Sequence, residues 1–208
     1  MPTLLELTTL RDRTERYLTD TLLPFWMGQS PDREGGGFLT YFDREGRATG
    51  ETIKTFLMQI RMLFTFASAH RAGYGGGRCE ELAQWGADFL LEHYWDSEHE
   101  GWIWIADREG NPTYRGKVGY GQCFGIYAFS EYFIATGDQR GREAAERTYA
   151  AVCKHMADTA HGGYWEIMRP DWRPERPGRY GGDRKSFDVH MHMMEALTAL
   201  YEMTGHAT

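Results

Sequence analysis

Apolar positions along this chain alternate between two spacings. From Thr3 onward, Leu4, Leu5, Leu7, Leu10, Tyr17, Leu18 and Leu22 recur mostly every three or four residues, which predicts an amphipathic helix ending before Pro24. The spacing then shortens: Phe38-Leu39-Thr40-Tyr41-Phe42, followed by Asp43-Arg44-Glu45-Gly46, reads as a short hairpin. A second helix is predicted over 53–70, apolar over a wide arc through Phe56, Leu57, Ile60, Leu63, Phe64 and Ala67, with Gly73 as its stop. The order helix, hairpin, helix recurs over 80–94, 101–113 and 118–135, and again over 141–157, 162–169 and 186–204. Six helices are expected.

The recurrence is a true repeat. Gly37-Phe38, Gly101-Trp102 and Gly163-Tyr164 stand about 60 residues apart, and each leads to a lysine (Lys54, Lys117, Lys185), an apolar helix and a closing glycine (Gly73, Gly137, Gly205). The units run over about 1–73, 74–137 and 138–205. In each, the first helix is the more polar and the second is apolar nearly all round, as for an outer ring over an inner ring. A long loop on one rim of every unit suits an all-α toroid whose β-hairpin loops wall a cleft. Three units make an arc with unmatched apolar edges, so the arc is expected to take a partner, either a second copy in a homodimer or a further half-barrel.

Composition narrows the function. The 208 residues are 41% hydrophobic and 25% charged, ordinary for a globular domain. A net charge of −7 with scattered Lys and Arg offers no cationic face for nucleic acid. No apolar run reaches the roughly 18 residues of a membrane span, and the N-terminus lacks a basic-then-apolar leader, so the chain reads as cytoplasmic with no membrane partner. Cys79, Cys123 and Cys153 have neither zinc nor disulfide spacing and read as core filler in a reducing compartment.

Polar residues in the first turns of the inner helices are expected to face the cleft, because burying them deeper is costly. They are Lys54, Gln59 and Arg61, then Lys117, Tyr120 and Gln122, then Lys185, Asp188, His190, His192 and Glu195. Positions two apart on a helix diverge by about 200°, so His190 and His192 do not act together. Asp188, His192 and Glu195, at i, i+4 and i+7, share one stripe that places a carboxylate on each side of His192, an arrangement suited to acid/base work. The competing reading for each histidine is a satisfied core residue, and it weighs more on His190. Arg61 amid Ile60, Met62 and Leu63 requires an anion, a polar cleft or an ion pair with an acid such as Glu51. Trp26, Trp102 and Trp104 are candidate cleft-lining rings for a sugar. No ligand set for a metal is apparent, since His192 and Glu195 supply only two donors on one face. The glycines of 119–125 miss the dinucleotide spacing, and Gly75-Gly76-Gly77 lacks the Lys-Ser/Thr of a phosphate loop.

Taken together, four segments resemble the N-acylglucosamine 2-epimerase superfamily, which includes cellobiose 2-epimerases and mannose isomerases. They are Phe25-Trp26 with Gly36-Gly37-Phe38 and Asp43-Arg44-Glu45-Gly46, Lys54 through Met58-Gln59-Ile60-Arg61, Lys117 through Tyr120-Gly121-Gln122 and Phe124, and Lys185 through Asp188, His190, His192 and Glu195-Ala196. The resemblance implies an (α/α)6 barrel, of which this chain is the N-terminal half with about three of six hairpins. It also implies cofactor-free chemistry on a reducing sugar: a ring-opened aldose loses the proton next to its carbonyl, and the enediolate regains one at C2 or C1. By motif, Arg61 and Tyr120 would stabilise the charged oxygen, and Asp188 and His192 would hold hydroxyls or that oxygen. His190, Glu195 and Trp26 join as substrate-binding candidates. Position 188 is Asp where the family usually has Asn. The family's acid/base histidines are expected in a second half. A non-catalytic sugar-binding remnant and an (α/α)6 glycoside hydrolase using Asp43, Asp107 or Asp188 are the alternative readings.

Overall fold

The computed structural model describes residues 3–175 and 184–205. Its elements in chain order are α1 (Leu4–Tyr17), a π-helical turn (Leu18–Leu22), α2 (Leu23–Gln29), β1 (Lys54–Thr55), α3 (Phe56–Arg71), α4 (Gly77–His93), β2 (Ile105–Ala106), β3 (Pro112–Tyr114), β4 (Lys117–Val118), α5 (Gly119–Thr136), α6 (Gln139–His155), β5 (Ile167–Met168) and α7 (Phe187–Thr204). α3, α5 and α7 form an inner layer with α5 in the middle, while α4 packs behind α3 and α6 behind α5. α5 is accordingly buried along most of its length. The core runs continuously through all three units, from Phe38, Phe56 and Phe66 to Trp102 and Phe129 and on to Val189 and Leu200.

The first helix does not stop before Pro24. The π-helical turn bridges α1 to α2, and Pro24 falls in the first turn of α2. The apolar face predicted for α1 is present but uncovered: Leu4, Leu5, Leu7, Leu10 and Tyr17 are exposed, and no α1 residue is buried among the described residues. Cys79 and Cys123 are core residues as expected, whereas Cys153 is exposed.

The rim hairpins link consecutive units. β2 pairs antiparallel with β1 of the unit before it and with β3 of its own. β5 likewise pairs with β4, matching Lys117 to Met168 and Val118 to Ile167. α3 and α5 are thus each led in by a strand stitched to the next unit's rim loop, which fixes where the first turn of each helix meets the rim.

Two contacts recur in every unit. A loop aspartate (Asp32, Asp96, Asp158) binds the lysine opening the inner helix, with Nζ–Oδ2 distances of 3.0 Å for Lys54, 2.7 Å for Lys117 and 2.6 Å for Lys185. Five residues after the lysine, a side chain pins the backbone of the aromatic anchor. Gln59 accepts the Phe38 N–H at 2.7 Å and donates to the Phe38 carbonyl at 2.6 Å; Gln122 does the same to Trp102, at 2.8 Å in both directions. In the third unit His190 Nε2 accepts the Tyr164 N–H at 3.2 Å. The glycine before each anchor makes the close approach possible. A Cβ on Gly37 would lie 2.6 Å from Gln59 Oε1, one on Gly101 3.0 Å from Gln122 Oε1, and one on Gly163 2.6 Å from His190 Nε2, all three at positive φ.

Candidate active site

Helical phase separates two sets of residues on the inner helices. At about 100° per residue, position +5 from the lysine lies on the opposite side from positions +3, +7 and +10. Position +5 turns to the loop backbone and holds the pins described above. Positions +3 (Leu57, Tyr120, Asp188), +7 (Arg61, Phe124, His192) and +10 (Phe64, Tyr127, Glu195) line one concave surface across α3, α5 and α7.

The +7 row is continuous. Phe124, nearly buried, has the Arg61 guanidinium carbon 4.9 Å from its ring centre and the His192 ring 4.8 Å away. Tyr120 stands beside them, 6.1 Å from His192 and 5.6 Å from Trp104, ring centre to ring centre. His192 is 18% exposed, and its Nδ1 lies 2.8 Å from Glu195 Oε2. Asp188, one turn earlier, is exposed and forms no hydrogen bond or ion pair among the described residues. At its +10 row the surface holds a cavity of about 300 Å³ lined by Phe64, Tyr127 and Glu195, while grooves of about 680 Å³ beside α1 and about 550 Å³ on the far face of α7 lie away from it.

The electrostatics favour donors toward oxygen. Burial raises the Tyr120 phenol above its ordinary value; the Arg61 charge opposes this, and the Asp188 and Glu166 charges add to it. The hydroxyl therefore stays protonated at neutral pH and available to donate. Arg61 is exposed, with its guanidinium held over Phe124 rather than paired with Glu51 as one reading of the sequence allowed.

Several expected cleft residues sit elsewhere. Lys54, Gln59, Lys117 and Gln122 are buried and engaged in the loop contacts. His190 is placed in the pin slot, with Nδ1 2.7 Å from the Ser186 carbonyl and Nε2 on Tyr164, so both ring nitrogens are occupied by backbone. Trp26 packs edge-on against Phe25 at 5.0 Å and Phe42 at 5.5 Å within the first unit, apart from the Arg61 to His192 row. Trp102 is wholly buried, stacked between Phe56 and Phe129, with its indole N–H on Thr148. Asp43 and Asp107 accept backbone N–H groups within their own turns, from Arg47 and Asn111 at 2.8 Å each.

Two residues of this surface were given no role from the sequence. Phe124, present in the second motif, is the platform between Arg61 and His192, and aligning the units at Lys+7 would have assigned it there. Glu166 lies two residues after its anchor Tyr164, in the place that Trp104 holds after Trp102, and is salt-bridged to Arg184. Among the described residues no group of three or more His, Cys, Asp or Glu side chains is placed to hold a metal ion.

Two helical layers joined by rim hairpins place the fold in the (α/α)6 toroid class. Residues 36–208 match the family described as N-acylglucosamine 2-epimerase (GlcNAc 2-epimerase). The chain belongs to that family. Cellobiose 2-epimerase of Bacteroides fragilis is 30% identical over 204 residues, covering 93% of this chain and 50% of that protein. D-mannose isomerase of Marinomonas mediterranea is 26% identical over 169 residues, covering 81% of this chain and 40% of that protein. The structure of cellobiose 2-epimerase from Spirochaeta thermophila superposes with a TM-score of 0.87 at 31% identity, over 99% of this chain and 52% of that one. The chain thus spans about half the length of the relatives it matches.

Proposed function

We propose that this chain carries the oxygen-binding part of an active site that epimerises or isomerises a reducing sugar at C2/C1. The observation that supports it most is the convergence of Arg61, Tyr120, Phe124 and His192 on one concave surface across three inner helices. In the open-chain aldose a base removes the C2 proton, its electrons form the C1=C2 bond, and negative charge moves onto O1. Arg61 and Tyr120 donate hydrogen bonds to that oxygen as the charge develops, a stabilisation fixed in place before reaction. Returning a proton to C2 from the opposite face gives the epimer; returning it to C1, while the O2 proton passes to O1, gives the ketose.

Asp188 and His192 act on the sugar's hydroxyls, and Trp104, only partly buried, offers a ring beside them. The acid/base pair that shuttles the C2 proton is assigned to residues outside this surface, in keeping with relatives about twice as long. The test is to incubate assemblies containing this chain with cellobiose and with mannose and to follow products by carbon NMR. A C2 epimer or the matching ketose supports the reading. Hydrolysis of the disaccharide to two monosaccharides, without either product, overturns it in favour of a glycosidase.

A further inference from the structure

We infer that Glu195 is a positioning residue, not a sugar ligand: it sets the tautomer of His192 so that Nε2 faces the substrate as a hydrogen-bond acceptor. The inference rests on the sugar reading only for what Nε2 meets. In the structure, Glu195 Oε2 lies 2.8 Å from His192 Nδ1, and a carboxylate there can only accept. The proton of a neutral His192 is therefore held on Nδ1, which leaves the lone pair on Nε2. Nε2 has no protein partner among the described residues, and the ring is kept at this angle by Phe124 at 4.8 Å and Tyr120 at 6.1 Å.

The surroundings divide the hydrogen-bonding roles. Arg61 and Tyr120 face the cleft as donors, so a neutral, Nε2-accepting His192 adds a complementary acceptor for a sugar hydroxyl. Without Glu195 the ring would be free to carry its proton on Nε2, which would turn the acceptor into a third donor. The other groups around the ring are Asp188, one turn earlier on α7, and the Arg61 guanidinium on the far side of Phe124.

Nitrogen NMR of histidine-labelled protein without sugar tests this directly, with His192 identified by its loss in His192→Asn. The wild-type neutral ring is expected to show a protonated Nδ1 and a bare Nε2. Glu195→Ala is expected to move the proton largely to Nε2, while Glu195→Gln, whose amide oxygen still accepts from Nδ1, keeps the wild-type tautomer. A wild-type ring protonated on Nε2, or an unchanged tautomer in Glu195→Ala, overturns the inference. Because no sugar is present, failure of the catalytic reading leaves this result standing, and the reverse holds too.

Discussion

The imidazole of His190 accepts the backbone N–H of Tyr164 at 3.2 Å, occupying on α7 the place that Gln122 occupies on α5 beneath Trp102. Gln122 satisfies both backbone groups of its anchor. His190 satisfies one and uses its other nitrogen on the Ser186 carbonyl. This gives His190 a structural duty that its neighbour two residues on does not share.

His190→Gln is therefore expected to preserve the fold, whereas His190→Leu leaves the Tyr164 N–H without a partner and costs about 1–3 kcal/mol. Thermal melts read the difference. Any sugar affinity of the His190→Gln protein should equal wild type, in contrast to His192→Asn, which should lose it.

The buried pair of Asp96 and Lys117, both fully shielded, sets a larger effect. Removing one partner in Asp96→Ala strands a buried ammonium and is expected to cost about 3–5 kcal/mol in denaturant titrations. Asp96→Leu with Lys117→Met should recover much of that loss. A single variant as stable as wild type would show that the pair is dispensable.

Acid should loosen all three rim loops. Burial opposes ionisation of Asp32, yet hydrogen bonds from Arg108, the Gly35 N–H and Lys54 outweigh it and hold the carboxyl well below the usual range. Asp96 is also lowered, with burial again opposed by Lys117, the His99 N–H and Arg115; Asp158 is lowered chiefly by its bond to Lys185. Carboxyls depressed in the folded state contribute stability that is fully present above the unfolded value near pH 4 and is lost as pH falls through the folded ones. Urea midpoints should be flat above about pH 5 and fall below about pH 4. A midpoint rising on acidification would contradict this.

Uncovered apolar residues on α7 (Phe187, Met194, Tyr201) and on α1 (Leu4, Leu5, Leu10) predict self-association of the isolated chain. Light scattering should report species larger than a monomer, reduced by Phe187→Ser with Met194→Gln. A stable monomer at high concentration would refute it.

The repeat, the two helical layers and the rim hairpins were legible in the sequence because each leaves a periodic mark: 3.6-residue apolar spacing, alternation, and a glycine before each aromatic anchor. The polar residues at the inner-helix starts were harder to read. Lys54, Gln59 and Arg61 lie within eight residues, yet only Arg61 lines the concave face, because helix phase relative to the loop decides which side each residue takes. Spacing within α7 correctly separated His190 from His192. Comparison between units, with Gln59, Gln122 and His190 in register, is what exposes the structural role of the first histidine. The helix through Pro24 escaped because a π-helical turn shifts the register by one residue, placing the proline where it is tolerated.

Exchange of the C2 hydrogen for deuterium in heavy water tests the central claim most directly, since it reads proton removal whether the product is epimer or ketose. An assembly containing this chain is expected to wash deuterium into C2 of a reducing sugar, with Arg61→Ala slowing the exchange about 100- to 1000-fold, the loss expected for one oxyanion donor. Product formed with no deuterium at C2 or C1, or an Arg61→Ala rate equal to wild type, would contradict the account.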